Sequence, residues 1–254
     1  MKCILCDNNS WEVVFEYNTP DKYEKCVGIT DIMRTWKRCN NCGLYQQQRN
    51  YPLSVLQVIY ESDYRSKELT GESIEEAFER ISKIPDSENS KRIEWATRNG
   101  VPDTLLDIGS GLGIFPYAMR NKGTSVLCTE INCDSRKFIN SLGIKCVKEL
   151  PFNIKFSMVS LIHVLEHMEN TKEFLINVKP LLRSKGNLFI EVPSASEFEI
   201  LDKHHDVFNS CHTVFFNTAT LEKIINLCGY GVHDMSELHY SQRNLTSVVA
   251  MCEK

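Results

Sequence analysis

Two cysteine pairs near the N-terminus have the spacing of a metal site. Cys3 and Cys6 form one C-x-x-C pair, and Cys39 and Cys42 form another. Each such turn directs two sulfur atoms at one ion, and four thiolates in a tetrahedron suit zinc. The sequence therefore predicts a closed, structural Zn²⁺ site that helps this segment to fold. Iron in the same geometry and unmetallated thiols are the alternatives.

A glycine-rich loop indicates a second kind of chemistry. The apolar run 104–108 leads into Gly-Ser-Gly-Leu-Gly at 109–113 and then into a predicted helix. In the order strand, loop, helix, such glycines let a ligand approach the backbone at the edge of a sheet. A dinucleotide fingerprint would need glycine where this chain has Ile114. Asp107, just before the turn, would repel a pyrophosphate and attract a ligand that carries an ammonium and a sulfonium, so the loop favours a cationic cofactor.

The next predicted strand ends at an acidic residue. Glu130 follows the apolar run 125–129, about twenty residues beyond the loop, where a carboxylate can chelate the two hydroxyls of a ribose. A surface carboxylate at a strand end is the alternative interpretation. The predicted cofactor contacts are Asp107, Gly109, Ser110, Gly111, Gly113, Glu130, Ile131 and, from a later segment, His163.

These motifs together resemble those of a known family. Residues 105–113 with Glu130 are similar to the first two motifs of the class I, Rossmann-like S-adenosylmethionine-dependent methyltransferases. The segment His-Val-Leu-Glu-His at 163–167 and the segment 181–193 resemble later motifs of that family. The resemblance covers roughly residues 90–254. It implies S-adenosylmethionine as the cofactor and methyl transfer as the reaction.

The sequence departs from the family pattern at two places. Ser157 follows Phe156 where the family usually has Phe-Asp at the start of the fourth strand, and Gly186-Asn187 replaces a glycine pair. The cofactor loop itself is intact, so neither departure removes the resemblance.

Several histidines are candidates for moving a proton. Methyl transfer is an in-line displacement, so the protein must hold the acceptor and remove its proton, and a histidine suits this near neutral pH. His163 and His167 follow a predicted strand, and their i, i+4 spacing places both on one helical face if a helix has begun by residue 163. We expect His163 on the cofactor side and His167 on the acceptor side, with helix packing as the alternative. His212, flanked by aromatic residues, is a third candidate, whereas His204 and His205 are expected to be solvated loop residues.

A narrower resemblance concerns the substrate. The cysteine pairs, Tyr60 and Tyr64, the 163–167 segment and His212 together resemble the zinc-containing methyltransferases that act on nucleotide-linked deoxysugars and related carbohydrate precursors. In the sugar C-methyltransferases of that subgroup a Glu-His pair stands where this chain has Cys211-His212, and a further C-terminal domain follows, which this sequence lacks. The resemblance therefore implies O-methylation with His212 or His167 as the base, and Tyr64 holding the acceptor or covering the cofactor. Sugar C-methylation is the alternative.

The elements that position these residues can be predicted from their periodicity. Apolar runs at 104–108, 125–129, 144–147, 156–162 and 187–192 alternate with helical stretches, which indicates a parallel sheet with crossover helices. Runs at 231–239 and 245–252 have no helix between them and predict an antiparallel hairpin. The predicted fold class is α/β, a Rossmann-like seven-stranded, mostly parallel sheet with an antiparallel C-terminal hairpin, plus a small N-terminal zinc-binding module.

Three regions follow from this pattern. Residues 1–50 are polar and contain the cysteine pairs, which predicts the zinc-binding module. Residues 51–100 are helical and predict a connector or lid, with helices at 54–60, 73–81 and 87–98. Residues 101–254 form the predicted S-adenosylmethionine-binding domain.

Composition limits the partners. The chain has 254 residues, 42% of them hydrophobic, with 29 Lys and Arg against 33 Asp and Glu, for a net charge of -4. Such a balance gives no global attraction to nucleic acid or anionic membranes, although the segment 34–38 is a candidate basic patch. No apolar run has the length of a signal peptide or a membrane span, so we expect a cytoplasmic protein whose 11 cysteines are thiols or metal ligands.

Three function classes remain at this point. The first is a small-molecule O-methyltransferase acting on a nucleotide-sugar or on a capsular or antibiotic carbohydrate precursor. The second is an RNA or protein methyltransferase that uses its zinc module to hold a macromolecule. The third is a non-catalytic protein that binds the cofactor and serves as a scaffold.

Overall fold

A computed structural model describes residues 1–61, 66–84 and 88–254. In chain order its elements are β1 (Trp11–Tyr17), α1 (Lys22–Cys26), β2 (Arg34–Cys39), β3 (Tyr45–Arg49), α2 (Ser54–Glu61), α3 (Lys67–Thr70), α4 (Ile74–Ser82), α5 (Glu88–Thr97), β4 (Thr104–Ile108), α6 (Ile114–Asn121), β5 (Ser125–Thr129), α7 (Cys133–Ser141), β6 (Lys145–Val147), β7 (Phe156–Ile162), α8 (Thr171–Val178), β8 (Leu182–Pro193), α9 (Glu197–Ile200), β9 (Val214–Phe215), α10 (Thr218–Leu227), β10 (Gly231–Tyr240) and β11 (Leu245–Glu253).

The larger sheet has the predicted Rossmann-like architecture. Its seven strands lie in the order β10-β11-β8-β7-β4-β5-β6. Strands β4 to β8 pair in parallel, whereas β11 runs antiparallel to both β8 and β10. The strand order reverses between β4 and β7, which is the place where open α/β sheets bind ligands.

The strand predictions are confirmed in number and order. Strands β4, β5 and β7 have the predicted ends, because each contains an apolar run with glycine or polar residues beside it. Strand β8 begins at Leu182, five residues before the predicted start at 187. Residues 183–185, near its start, are polar and exposed, so periodicity alone could not assign them to a strand.

A smaller sheet contains the N-terminal strands. Its order is β1-β2-β3-β9, and all three pairings are antiparallel. Strand β9 is only Val214–Phe215, from the segment between β8 and α10, and it pairs with Tyr45 and Gln46 of β3. This pairing joins the first fifty residues to the segment that carries His212.

The predicted helices before the main sheet are present within the described residues. Helix α4 starts after Ser73, whose side chain accepts from the Glu76 amide while Glu76 reaches back to the Ser73 amide. This capping box fixes the start of α4 one residue after the predicted one. Helix α5 covers most of the predicted span 87–98.

The hydrophobic cores join the two sheets. Cys3, Leu5 and Leu44 from the N-terminal region belong to the same buried cluster as Leu161 of β7 and Phe216 beside β9. Because these side chains share one apolar interior, the N-terminal region is stabilised by the main sheet as well as by its cysteines.

Two further observations bear on partners. Arg34 of the candidate basic patch is 2% exposed and pairs with Glu24 and Asp21, so this part of the segment 34–38 is not a basic surface. Its burial follows from strand alternation, which turns Arg34 and Trp36 to the interior.

Among the helices of the described residues, none has the length and apolar character needed to cross a membrane.

Candidate functional site

The glycine-rich loop joins β4 to α6 at the carboxyl edge of the sheet. Gly109 and Gly113 adopt φ of 70° and 74°, a left-handed conformation that favours glycine. A Cβ on Gly109 would lie 2.9 Å from Val164 Cγ2, and one on Gly113 would lie 2.8 Å from Ile139 Cγ1. The absence of a side chain at Gly109 therefore leaves room for the segment after β7. At Gly113 the same absence lets α6 pack against α7.

Two carboxylates flank this loop. Glu130 accepts hydrogen bonds from the Gly111 amide at 2.7 Å and from the Asn132 amide at 2.9 Å, which fixes its carboxylate beside the loop. Asp107 is 3% exposed and accepts a hydrogen bond of 2.5 Å from the Ser160 hydroxyl. Burial raises the pKa of Asp107 to about 6, although hydrogen bonds from Ser160 and other groups oppose the shift.

One cleft of about 920 Å³ extends from this loop across the edge of the sheet. Its glycine-loop end is formed by Asp107, Gly109, Gly111 and Glu130. Its histidine end is formed by Tyr60, His167 and His212. The volume is near the upper limit of common ligand sites, so the cleft has room for a cofactor and a second molecule together.

A chain of charges runs along the cleft, and its members are buried except for His163, whose side chain is 33% exposed. Arg92 of α5 holds Glu191 of β8 through two hydrogen bonds of 2.6 Å. The His163 ring lies between Glu191, at 3.2 Å from Nε2, and Glu166, at 3.1 Å from Nδ1. Burial opposes the charging of His163, but hydrogen bonds to Glu166 and Glu191 outweigh it and raise its pKa to about 9. Around pH 7 the four groups therefore alternate in charge, which is how buried charges are tolerated.

The predicted helical face for His163 and His167 is wrong. His163 has φ of 54°, and the turn that follows is a short 3₁₀ helix over Leu165–His167. The His163 amide donates to the Glu191 carbonyl at 2.8 Å, which extends the pairing of β7 with β8 and delays the start of a helix. His163 consequently turns toward the charge chain and His167 toward the histidine end.

His212 meets His167 at the histidine end of the cleft. The two ring centroids are 4.7 Å apart at 64°. His212 Nδ1 lies 2.7 Å from the Val207 carbonyl, so Nδ1 carries the proton and Nε2 carries the lone pair. Burial and the neighbouring His167 lower the pKa of His212 to about 3, so its ring is neutral around pH 7.

Tyr60 and a backbone carbonyl hold the ring of His167. Its Nδ1 lies 2.7 Å from the Tyr60 hydroxyl and 3.0 Å from the Cys211 carbonyl. Because a carbonyl only accepts, Nδ1 is the nitrogen that carries the proton, and the Tyr60 hydroxyl can donate to the same carbonyl at 3.3 Å. The lone pair of a neutral His167 ring is then on Nε2.

The four predicted zinc ligands lie together at the edge of the smaller sheet. Cys3 Sγ is 3.5 Å from Cys42 Sγ, and Cys6 Sγ is 3.6 Å from Cys39 Sγ. All four sulfurs lie within 4.8 Å of one another, while a zinc ion with bonds of about 2.3 Å places its sulfurs about 3.8 Å apart. The cysteines therefore fit a tetrahedral ion of this size.

The two cysteine turns share one backbone geometry. The Asp7 amide donates to the Cys3 carbonyl at 2.9 Å, and the Gly43 amide donates to the Cys39 carbonyl at 2.9 Å. The residue after each pair has a positive φ, 57° at Asp7 and 76° at Gly43. Gly43 thus supplies the left-handed conformation that the turn after the second pair requires.

Most of the predicted cofactor and catalytic residues line the same cleft. Those that do are Asp107, Gly109, Ser110, Gly111, Glu130, Ile131, His163, His167 and His212. Gly113 stands outside this lining, because its place at the start of α6 turns it toward Ile139. Tyr64 lies outside the described residues.

Four residues of the site had no predicted role. Glu166 stands within the 163–167 segment, so its position in that motif was the available signal. Tyr60 was singled out with Tyr64 but was not assigned a contact. Arg92 and Glu191 are 99 residues apart, and nothing in the sequence pairs them.

Comparisons with known proteins agree with this fold. The methyltransferase-domain family matches residues 72–234, which is more than half of the chain. No curated protein matches the sequence.

Solved structures with this fold include several enzymes of low sequence identity. The 1,6-didemethyltoxoflavin-N1-methyltransferase of Burkholderia thailandensis, solved with 1,6-didemethyltoxoflavin and S-adenosylhomocysteine, is 14% identical, with a TM-score of 0.55 over 85% of this chain and 98% of that one. The N-methyltransferase NodS of Bradyrhizobium japonicum, solved with S-adenosylhomocysteine, is 10% identical, with a TM-score of 0.53 over 72% of this chain and 99% of that one. The [4+2]-cyclase SpnF is 9% identical, with a TM-score of 0.53 over 65% of this chain and 80% of that one.

At identities this low, the solved structures show only a shared fold. The activity of this chain therefore rests on the family match. That match begins before the glycine-rich loop and extends past His212, so it includes both ends of the cleft. This chain belongs to the methyltransferase-domain family, and it is an enzyme that transfers methyl groups.

Proposed function

We propose that this enzyme uses S-adenosylmethionine to methylate a hydroxyl group of a nucleotide-linked sugar, or of a capsular or antibiotic carbohydrate precursor. The observation that carries the proposal is the pair His167 and His212, 4.7 Å apart between ring centroids, in the same cleft as the glycine-rich loop. The cofactor occupies the glycine-loop end, and the acceptor occupies the histidine end.

The glycine-loop end has the groups that a cationic adenosyl donor requires. Asp107 offers a buried carboxyl to the ammonium of the methionine part, and Glu130 offers its carboxylate to the ribose hydroxyls. Gly109 has no side chain, so the ligand can approach the backbone closely at this point. The structures from Burkholderia thailandensis and Bradyrhizobium japonicum contain S-adenosylhomocysteine, the demethylated product, which supports the same cofactor here.

The histidine end is suited to activating a hydroxyl. An acceptor oxygen attacks the methyl carbon, the bond from that carbon to sulfur breaks, and its electron pair stays on sulfur. The acceptor proton passes to the lone pair of an imidazole, either His167 or His212. His167 is the better base, because the low pKa of His212 makes that ring a weak proton acceptor.

A nucleotide-sugar acceptor agrees with two cationic side chains that line the cleft. Lys22 lines the cleft and is 45% exposed, in an ion pair with Asp206. Arg243 also lines the cleft and pairs with Glu88. Such exposed pairs are weak, so a diphosphate can compete for these cations.

The remaining parts of the proposal concern the cysteines and the setting of the protein. Cys3, Cys6, Cys39 and Cys42 hold a structural Zn²⁺ within a module of residues 1–50, next to a helical connector or lid of residues 51–100. All 11 cysteines are free of disulfides, which supports a reducing, cytoplasmic setting. Residues 101–254 form the cofactor-binding domain.

Incubation with methyl-labelled S-adenosylmethionine tests the proposal. The acceptors are a panel of nucleotide-linked sugars and their free sugars, with transfer RNA, ribosomal RNA and bulk protein as separate acceptors. We expect label on a sugar oxygen, located by fragmentation in mass spectrometry, and loss of at least 100-fold in turnover in a His167→Ala variant. Label on RNA or protein and none on any sugar would reject the acceptor class, while label on a sugar carbon or nitrogen would reject O-methylation.

A further inference from the structure

A second set of metal-binding side chains lies apart from the four cysteines. Glu166, His167 and His212 each offer one ligand atom, and these atoms lie within 4.8 Å of one another. Two imidazoles and one carboxylate are the ligands of many open metal sites in enzymes. This set lies at the histidine end of the cleft, where the acceptor is proposed to bind.

Both imidazoles are held as metal-binding histidines commonly are. His212 donates through Nδ1 to the Val207 carbonyl at 2.7 Å, and His167 Nδ1 is 3.0 Å from the Cys211 carbonyl. A backbone carbonyl on Nδ1 fixes the tautomer and leaves Nε2 as the ligand atom. Nε2 therefore carries the lone pair in both neutral rings, whose centroids lie 4.7 Å apart.

The carboxylate of Glu166 supplies an independent observation. Glu166 is 1% exposed, and its Oε1 lies 3.1 Å from His163 Nδ1. Its Oε2 is buried and has no hydrogen-bond partner among the described residues. A buried carboxylate oxygen without a partner is costly, and a cation in contact with it would remove that cost.

We propose that Glu166, His167 and His212 bind a divalent transition-metal ion, of the class of Zn²⁺, Co²⁺ or Fe²⁺, in a three-ligand site that leaves coordination positions open. With bonds of about 2.1 Å the ligand atoms would stand about 3 to 3.5 Å apart. Since they now lie within 4.8 Å of one another, small side-chain rotations complete the site.

In methyl transfer the proposed ion would activate the acceptor hydroxyl. This role rests on the proposed function. An acceptor hydroxyl in an open position would bind the ion, and its pKa would fall. The hydroxyl proton then passes to water at the mouth of the cleft, the oxygen attacks the methyl carbon, and the electron pair of the breaking bond stays on sulfur. In the metal-bound enzyme the two imidazoles act as ligands, so the ion takes over acceptor activation from a histidine base.

Cobalt absorption tests the site without cofactor or acceptor. The four-cysteine site of the full chain is first filled with one equivalent of Zn²⁺, and Co²⁺ is then titrated under anaerobic conditions. We expect one further Co²⁺ per chain, with visible d–d bands and without the near-ultraviolet charge-transfer band that thiolate ligands give. Absence of this Co²⁺, or a thiolate charge-transfer band accompanying it, would overturn the proposal.

Variants identify the ligands. His212→Gln and Glu166→Gln should each weaken Co²⁺ binding at least tenfold, whereas His205→Asn, which alters another histidine of the cleft lining, should leave it unchanged. Equal Co²⁺ affinity in all three variants would refute the assignment. Proton nuclear magnetic resonance of the Co²⁺-loaded, unaltered chain gives a second measurement that needs no variant. Two solvent-exchangeable imidazole N–H signals shifted by the paramagnetic ion are expected, and one or none would contradict the site.

The test separates the two proposals. Co²⁺ binding with no methyl transfer to any sugar would keep the metal site and reject the acceptor. Sugar methylation that is unaffected by removal of this ion, in a chain that shows no second Co²⁺, would keep the proposed function and reject the metal site.

Discussion

At the scale of single residues, Asp107 links the acidity of the cleft to cofactor binding. Burial raises its pKa to about 6, so the side chain loses its charge as the pH falls through that value. Only the ionised form attracts the ammonium of an adenosyl donor. Binding of S-adenosylhomocysteine, whose own ammonium keeps its charge in this range, should therefore be constant above about pH 7 and weaken roughly tenfold per pH unit below about pH 6.

Isothermal titration calorimetry between pH 5 and pH 8 measures this dependence. Asp107→Asn should bind more weakly at pH 8 and lose the dependence, because an amide has no proton to gain. Because folding raises the pKa of Asp107, the unaltered chain loses stability as the pH rises from about 4 to about 6. Asp107→Asn should therefore be more stable relative to the unaltered chain at pH 8 than at pH 5. A pH-independent affinity in the unaltered chain would contradict the role given to Asp107.

Gly109 tests whether the bare backbone of the loop is needed for the ligand. Gly109→Ala should lose about 1 to 2 kcal/mol of stability to its left-handed conformation. Its Cβ would also lie 2.9 Å from Val164, so the loop must shift, and affinity for S-adenosylhomocysteine should fall at least tenfold. Calorimetry and urea unfolding measure the two effects.

Gly28 provides the matched control for Gly109. Its φ is 75°, and a Cβ there would meet nothing within 4 Å. Gly28→Ala should therefore carry a similar conformational cost without any change in cofactor affinity. Equal cofactor affinity in the two variants would show that the loop tolerates a side chain at residue 109.

At the scale of elements, the sequence predicts best what depends on neighbours along the chain. Strands β4, β5 and β7 are apolar runs with clear ends, and their order already places the glycine-rich loop and Glu130 at one edge of the sheet. The turn at His163 could not be predicted, because its positive φ depends on pairing with Glu191, 28 residues later. Strand β9 could not be predicted either, since two residues carry no periodicity and only their partner strand defines them.

The ion pair between α5 and β8 also joins residues that are far apart in the sequence, so the sequence could not predict it. Arg92 holds buried Glu191 through two hydrogen bonds of 2.6 Å. Arg92→Ala would leave the buried Glu191 with His163 as its remaining positive partner, so the free energy of unfolding should fall by up to about 3 to 5 kcal/mol. Urea unfolding followed by circular dichroism measures the change.

An exposed arginine gives the comparison for this pair. Arg80 pairs with Glu72 on the surface and is 55% exposed, so Arg80→Ala should change the free energy of unfolding by less than about 1 kcal/mol. If the two arginine variants were equally stable, the pair between α5 and β8 would not be holding these elements together.

At the scale of the whole molecule, the smaller sheet connects the cysteine site to the histidine end of the cleft. Strand β3 pairs with β9, and β9 begins two residues after His212. The Arg49 guanidinium at the end of β3 also donates to the His212 carbonyl at 3.1 Å. The glycine-loop end has no part in this sheet, since its loop and strands belong to the larger one.

Loss of the zinc proposed at the four cysteines should therefore affect the two ends of the cleft differently. Cys39→Ser removes one thiolate at the end of β2, which should weaken zinc binding and loosen β2, β3 and β9 together. We expect methyl transfer to fall at least tenfold while affinity for S-adenosylhomocysteine stays within about threefold. The reason is that the larger sheet also packs in a second apolar cluster, around Leu105, Phe115 and Phe189, none of whose described residues belongs to the smaller sheet. Zinc content, turnover with labelled cofactor and calorimetry give the three values.

A cysteine substitution elsewhere separates this effect from the loss of a thiol as such. Cys26 is exposed on α1 and lies outside the four-cysteine cluster, so Cys26→Ser should leave zinc content, turnover and cofactor affinity unchanged. A variant is preferable to a chelator here, because a chelator would also remove an ion from Glu166, His167 and His212. If Cys39→Ser lost cofactor affinity and turnover to the same degree, the two sheets would unfold as one unit, and the cysteine site would support the entire enzyme and not the acceptor side alone.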